Sequence, residues 1–233
     1  MALTFSPSKI VTSGLVFYLD VGNKKSYISG STTTTDLISN IDGTLENSIG
    51  YDSDNLGYFI FDGIDDYVNF LSSNPITGNS PFSMCGWFDT KNHTDYGIGF
   101  YIGTAAALQS AYIGYVLNAQ YGTNNSIGGG LYARNIGSGI LVNTGWHNIV
   151  LTSDGSVLKL YVDGSIIETG SPIILAQNLS PLSIRLGRAN TGTDVYHYNG
   201  DVSNVSLYNR VLSPSEVLHN YNALKYRFEW EVR

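Results

Sequence analysis

Hydrophobic and polar positions alternate with a period of two through much of the chain, most clearly in "GWHNIVLTSDGSVLKLYVDGSIIETG", residues 145 to 170. His147 to Thr152, Val157 to Val162 and Ser165 to Thr169 read as strands, separated by Asp154-Gly155 and Asp163-Gly164. These dipeptides supply the positive φ of tight hairpin turns, so the segment predicts an antiparallel meander. Further strands are predicted at Leu15 to Leu19, Tyr58 to Phe61, Phe82 to Phe88, Tyr112 to Leu117, Leu182 to Leu186 and Val202 to Tyr208. The short run Thr32 to Thr35 reads as a loop, and "YFIF" and "YVNF" on either side of Asp62-Gly63 read as paired strands. Only "SPSEVLHNYNAL", residues 213 to 224, has helical spacing. Ser213 and Glu216 stand in capping-box register, Pro214 takes the first helical position, and Val217, Leu218, Tyr221 and Leu224 form one apolar stripe.

Composition agrees with this pattern and narrows the function classes. A chain of 233 residues, 42% hydrophobic, can bury one sizeable core, and no composition break divides it. A net charge of −7 with no Lys/Arg cluster argues against nucleic acid and anionic membranes, which need a basic face. The start "MALTFSPSKI" lacks a basic and an apolar signal region, and no stretch has the length of a membrane span, so a soluble, uncleaved chain is expected. Cys85 is the only cysteine, which leaves no disulfide framework and fits a reducing cytosol.

The ordered set "GLVFYLDVGN", "YFIFDGIDDYVNF", "PFSMCGWF", "GWHNIVLTSDGSVLKLYVDGSII", "SIRLGRAN" and "YNGDVSNVSLYNRVLSPSEVLHNYNALK" resembles the laminin G-like, concanavalin A-like jelly roll. The resemblance implies an all-β fold, an antiparallel two-sheet jelly-roll sandwich over residues 14 to 225 closed by one short C-terminal helix. Residues 1 to 13 would then form an N-terminal arm and 226 to 233 a strand-like tail. In that family loops or the concave face hold glycans or calcium. The opening "GLVFYLDVGNKKSY" is similar to versions of this module in tailed-phage virion proteins, which implies a place in a virion made in the host cytoplasm, beside other virion proteins and further copies of itself. Where the family often reads "GxIDEVxIYN", this chain has Ser203 and Asn204 in place of the acidic pair.

"FDGIDDYVNF", residues 61 to 70, carries the densest chemistry, with Asp62, Asp65 and Asp66 within five positions. Turn chemistry is the favoured reading, because Asp side chains accept hydrogen bonds from turn amides. Calcium is the sharper alternative, since hard carboxylate and carbonyl oxygens suit it. Catalysis lacks its motif. Concanavalin A-like glycosidases aim paired acids into a cleft from one strand, and Glu46, Glu168, Glu216, Glu229 and Glu231 form no such pattern. His93, His147, His197 and His219 show no metal-ligand spacing, and Cys85 reads as a buried structural thiol.

Binding is therefore the expected class, with no enzymatic activity and no cofactor unless calcium. Trp87 on the face opposite Phe82, Met84 and Phe88, together with the loop tyrosines Tyr96, Tyr121, Tyr196 and Tyr198, are candidates to stack on sugars, although tyrosines also cover a core's rim. In the tail "RFEWEVR", Phe228, Trp230 and Val232 share one face of a period-2 pattern. Such a strand either docks on its own sandwich or pairs with a neighbouring subunit.

Overall fold

The alternation resolves into two large sheets packed face to face in the computed structural model, which describes residues 9–70, 75–92, 95–104, 106–117, 121–123, 125–169, 177–180, 183–191 and 194–228. The first sheet runs Ser165–Thr169, Leu158–Val162, Trp146–Ser153, Phe82–Thr90, Asn199–Tyr208, Tyr58–Asp62 and Gly50–Asp52, each strand antiparallel to the next. The long strand Asn199–Tyr208 also pairs Leu15–Asp20 through its second half. The second sheet runs Tyr121–Thr123, Arg134–Ser138, Ser126–Leu131, Ser110–Val116, Gly97–Gly103, Ile184–Leu186, Tyr67–Phe70, Asp42–Glu46 and Thr33–Thr35. Its one parallel pair is Tyr121–Thr123 with Arg134–Ser138. The expected jelly-roll sandwich is thus the observed architecture.

Alternation explains the core. Phe82, Met84 and Phe88 point inward from the first sheet, as do Phe59 and Phe61, and they meet Val68, Phe70, Phe100, Ile102 and Ile113 from the second. Phe17 joins the layers, its ring edge-on to Phe70 at 5.0 Å and stacked on Phe100 at 6.1 Å. The opposite side of Phe82–Thr90 is also buried. Cys85 packs there with Val150, Tyr161, Tyr208, Leu212 and Val217 beneath the helix Pro214–Leu224, and burial pushes its thiol up to about 12. The expected structural thiol is what the fold provides.

Three local expectations are corrected. The strands Tyr58–Asp62 and Tyr67–Phe70 do not pair; they belong to different sheets, so Asp62-Gly63 opens a corner between layers rather than a hairpin. Alternation shows that Phe61 and Val68 both face the core, but it is blind to which layer each comes from. Thr33–Thr35 is a strand paired with Asp42–Thr44, and its Thr34 hydroxyl donates to Ser26 O at 2.9 Å. On the helix, whose capping box is present, Leu218 is exposed and the inward positions are Val217, Asn220 and Ala223. Asn220 turns inward because its amide is used on both sides: Oδ1 accepts from Val11 N–H at 2.8 Å and Nδ2 donates to Tyr208 Oη at 3.0 Å.

The tail, expected to be strand-like over residues 226 to 233, departs furthest from expectation over its described residues 226–228. Lys225–Arg227 forms a short 3-10 turn instead of a strand. Arg227, on the face opposite Phe228 in the period-2 pattern, is 3% exposed. Its guanidinium donates to Asp20 Oδ1 at 2.9 Å, Asn55 O at 3.0 Å and Ser203 Oγ at 2.9 Å. Phe228 stacks on Trp87 at 4.2 Å and leans on Trp146 at 4.8 Å, so it docks on its own domain and is not free for a neighbouring subunit. Trp230 and Val232 lie outside the described residues.

Removing one member of a buried, hydrogen-bonded ion pair strands the other. Arg227→Ala should therefore lower stability by about 3 kcal/mol or more, read from the urea unfolding midpoint. A chain truncated before Arg227 should lose at least as much; one that keeps the full chain's midpoint would show that the Arg227 contacts contribute nothing.

Candidate ligand-binding site

The outer face of the second sheet holds the site. Bulk on the inner positions of Gly97–Gly103 and Ser110–Val116 (Phe100, Ile102, Ala111, Ile113) leaves Tyr101 and Tyr112 facing outward, directly opposite one another across the two strands. Gly130 stands beside Tyr112 on the next strand and Asn135 beside Gly130 on the one after. A side chain at Gly130 would bring a Cβ within 2.1 Å of Arg134 O, so glycine is what permits this close approach. The hairpin formed by Arg188–Thr191 and Asp194–His197 lies over Gly97–Gly103, and its Ala189 packs against Ile98, Tyr101 and Tyr112.

Between hairpin and sheet is a cavity of about 290 Å³ lined by five tyrosines, Tyr96, Tyr101, Tyr112, Tyr132 and Tyr196, with Ser110 and Asn135. Its size is at the small end of ligand pockets, which run roughly 300–1,000 Å³. Tyr96 and Tyr196 meet at 5.2 Å between ring centroids, and Asn135 Nδ2 donates to Tyr96 Oη at 3.1 Å. Burial raises the phenols of Tyr101 and Tyr112, so both remain neutral hydroxyl groups at physiological pH. Among the described residues the lining carries aromatic faces and hydroxyl and amide groups but no charged side chain.

A second depression, of about 330 Å³, shares Tyr96 and Tyr196 and continues to Asp62, Asn92, Asp95, His197 and Asn199. Asp62, Asp65 and Asp66 converge at its corner, one carboxylate oxygen of each lying within 4.8 Å of the others. Asp62 Oδ1 accepts from Ile64 N–H at 2.8 Å, and Asp66 Oδ2 accepts from Asp62 N–H at 3.2 Å, as turn chemistry requires. Asp66 is 4% exposed and its Oδ1 has no hydrogen-bond partner among the described residues. A hard cation would fit that oxygen.

Of the five aromatic candidates, Tyr96 and Tyr196 meet in the cavity. Trp87 is corrected: it is 2% exposed and sandwiched between Tyr221 and Phe228, on the sheet the helix covers. Tyr198 is fully buried in the core, its hydroxyl 2.8 Å from Thr90 Oγ1, and so cannot meet a sugar. Tyr121 starts the strand Tyr121–Thr123, and its side chain lies outside the described residues. Tyr101, Tyr112, Tyr132 and Asn135 were missed by sequence reasoning. The signal was there for two of them, since "GFYIG" and "SAYIG" each set a tyrosine between inward aliphatic or aromatic positions.

A profile of the "Concanavalin A-like lectin/glucanases superfamily" matches residues 62–218. The chain belongs to that superfamily. No curated protein matches it in sequence. Among solved structures, this lectin/glucanase-like chain is similar to domain 4 of an extracellular arabinanase from Geobacillus stearothermophilus in complex with arabinotriose, with TM-score 0.67 and 15% identity over 90% of this chain and 98% of that one. It is also similar to Trypanosoma rangeli sialidase in complex with sialic acid, with TM-score 0.66 and 17% identity over 95% of this chain and 35% of the sialidase. A third is the binding domain of botulinum neurotoxin DC in complex with rat synaptotagmin II, with TM-score 0.65 and 14% identity over 91% and 52%. At these identities the likeness is one of fold.

Burial, partly offset by the Asp62 N–H and reinforced by the charges of Asp62 and Asp65, raises Asp66 to about 6. Asp201 is likewise raised to about 6 by burial, against the pull of Lys91. The unfolded carboxyls release their protons near 4, so between about pH 4 and 6 the folded state holds more protons and stability falls as pH rises. Asp66→Asn should flatten that fall in a melting-temperature profile and raise the melting temperature at pH 7; an unchanged profile would show that Asp66 titrates normally.

Proposed function

We propose that this chain is a non-catalytic carbohydrate-binding module, with the tyrosine-lined cavity over the second sheet as its glycan site. The observation that carries this reading is the cavity's lining: five tyrosines with Asn135 and, among the described residues, no carboxylate. Aromatic faces pack against the C–H faces of a sugar ring while hydroxyl and amide groups bond its hydroxyls. Hydrolysis would need a pair of acids at the reacting bond, and this cavity has none. The arabinotriose bound to the arabinanase domain, 98% of which the likeness covers, supports a carbohydrate ligand.

Two finer readings go with it. The module belongs on the surface of a tailed-phage particle in repeated copies, which the similarity of "GLVFYLDVGNKKSY" to virion versions supports. Calcium sits on Asp62, Asp65 and Asp66, which the unpartnered Asp66 Oδ1 supports.

A glycan panel followed by calorimetry tests the main reading. Tyr196→Ala should weaken binding of the best ligand about tenfold, the loss of one stacked ring at roughly 1–1.5 kcal/mol, with the fold intact by circular dichroism. Unchanged affinity, or specific cleavage of any panel member, would sink it. For calcium, millimolar additions should raise the melting temperature by mass action, and the shift should vanish in the double variant Asp65→Ala/Asp66→Ala. A shift that survives the double variant would move the ion elsewhere.

A further inference from the structure

The register of the second sheet sets Asn69, Arg185, Tyr101, Tyr112, Gly130 and Asn135 in one row across six adjacent strands, each directly opposite the next. Val68, Phe70, Ile184, Leu186, Phe100 and Ile102 fill the core side, so the row faces outward. At roughly 4.8 Å per strand it is about 24 Å long. Its Tyr101, Tyr112 and Asn135 end is the cavity.

Arg185 is the cation in this row. Its Nε donates to Asn69 Oδ1 at 3.3 Å, and no carboxylate pairs with it among the described residues. Among the described residues that single bond leaves the two terminal nitrogens, the end-on fork of the guanidinium, without an acceptor, and such a fork can give two parallel hydrogen bonds to one anion. A second guanidinium, Arg188, stands nearby over the Tyr67 ring, 4.6 Å from its centroid, and adds to the positive potential at Arg185. Glu46 stands on the adjacent row, opposite Tyr67. On a chain of net charge −7, Arg185 therefore has a second guanidinium, and no paired carboxylate among the described residues, as its charged surroundings.

We propose that the glycan held here is acidic, with a carboxylate or sulfate of the sugar adjoining the cavity taken end-on by Arg185. The inference rests on the reading of the tyrosine cavity as the glycan site. Arg185 is one strand from Tyr101, about the length of one sugar residue, so a ring against the tyrosines places its neighbour over the guanidinium. The carboxylates Asp62 and Asp95 lie beyond Tyr96 and Tyr196 in the second depression, which sets the acidic end of the glycan toward Arg185 and away from them.

The test uses pairs of polysaccharide fragments that differ only in charge: polygalacturonate with its methyl ester, hyaluronan with its carboxyl-reduced form, and a sulfated galactan with its desulfated form. Affinities are measured at low and high salt. At least one charged member should bind tenfold or more tighter than its neutral partner at low salt, and the identity of that pair distinguishes carboxylate from sulfate. The advantage, read as the ratio of charged to neutral affinity, should shrink at high salt and disappear in Arg185→Gln. Equal affinity within every pair for the wild-type chain overturns the inference without any variant, and the cavity reading then still stands if binding of the neutral members is lost in Tyr196→Ala. An advantage that persists in Arg185→Gln overturns the role of Arg185. Absence of binding by every member overturns both readings.

Discussion

Burial of Trp87 and Cys85 beneath the C-terminal helix is the constraint on which the rest of the molecule depends. A sandwich has two outer faces, and either can take a ligand until something covers it. Here Val217, Tyr221 and Phe228 close the first sheet's outer face, and the closure is fastened at both ends. Arg210 and Glu216 form a two-point pair at 2.7 and 2.9 Å at the helix start, which holds Glu216 down to about 2. Arg227 locks the far end onto Asp20, Asn55 and Ser203. With that face used for stability, the second sheet's outer face is where function has room.

The Arg227 lock also accounts for a departure seen in the sequence. The family pattern puts an acidic pair where this chain has Ser203 and Asn204. Ser203 is fully buried; its hydroxyl donates to Gly57 O at 3.0 Å while accepting from Arg227. Asp20 already supplies the guanidinium's negative partner. A second carboxylate at the Ser203 position would add a buried charge without a further cation, a cost a hydroxyl avoids.

What the sequence made legible follows from what each signal encodes. Period-2 alternation reports which side of a strand is apolar, so the core positions Phe82, Met84 and Phe88 and the capped helix could be read directly. It says nothing about which strand lies beside which. The pairing of Tyr67–Phe70 with Ile184–Leu186, 114 residues further on counting from Phe70 to Ile184, has no local signature, and neither does the row it creates. Gly-rich strands such as "SIGGGL" hide for a different reason: their glycines are selected by close backbone approach, as at Gly130, and so carry no propensity for a strand. Tyr198 and Trp87 misled because an aromatic beside Asn and Gly has the same local sequence whether its ring is stacked in the interior or open to a ligand. Tyr96 and Tyr196 could be named as candidates, but their meeting, and the tyrosines beneath them, depended on the sheet.

The same row carries none of the paired acids by which glycosidases cleave. Two carboxylates flanking a glycosidic bond stand about 5–5.5 Å apart for retention or about 6.5–9.5 Å for inversion, which on a sheet means i and i+2 on one strand or neighbours across two. The outward positions of the central strands here are Tyr67, Asn69, Arg185, Tyr101 and Tyr112. Asp42 and Glu46 do face out from the strand Asp42–Glu46, but four residues separate them, about 13 Å at ~3.3 Å per residue, and Asp42 is engaged by the Thr35 hydroxyl at 2.7 Å. Asp89 and Asp201 are direct cross-strand partners, yet they lie in the other sheet and share Lys91, at 2.5 and 3.5 Å. Both pairs thus stand away from the cavity. Asp62, Asp65 and Asp66 lie at the corner of the adjoining depression, where Asp62 and Asp66 accept hydrogen bonds from backbone amides of the turn. Tyrosines and a half-buried guanidinium, rather than paired acids, are what the central strands present on this face.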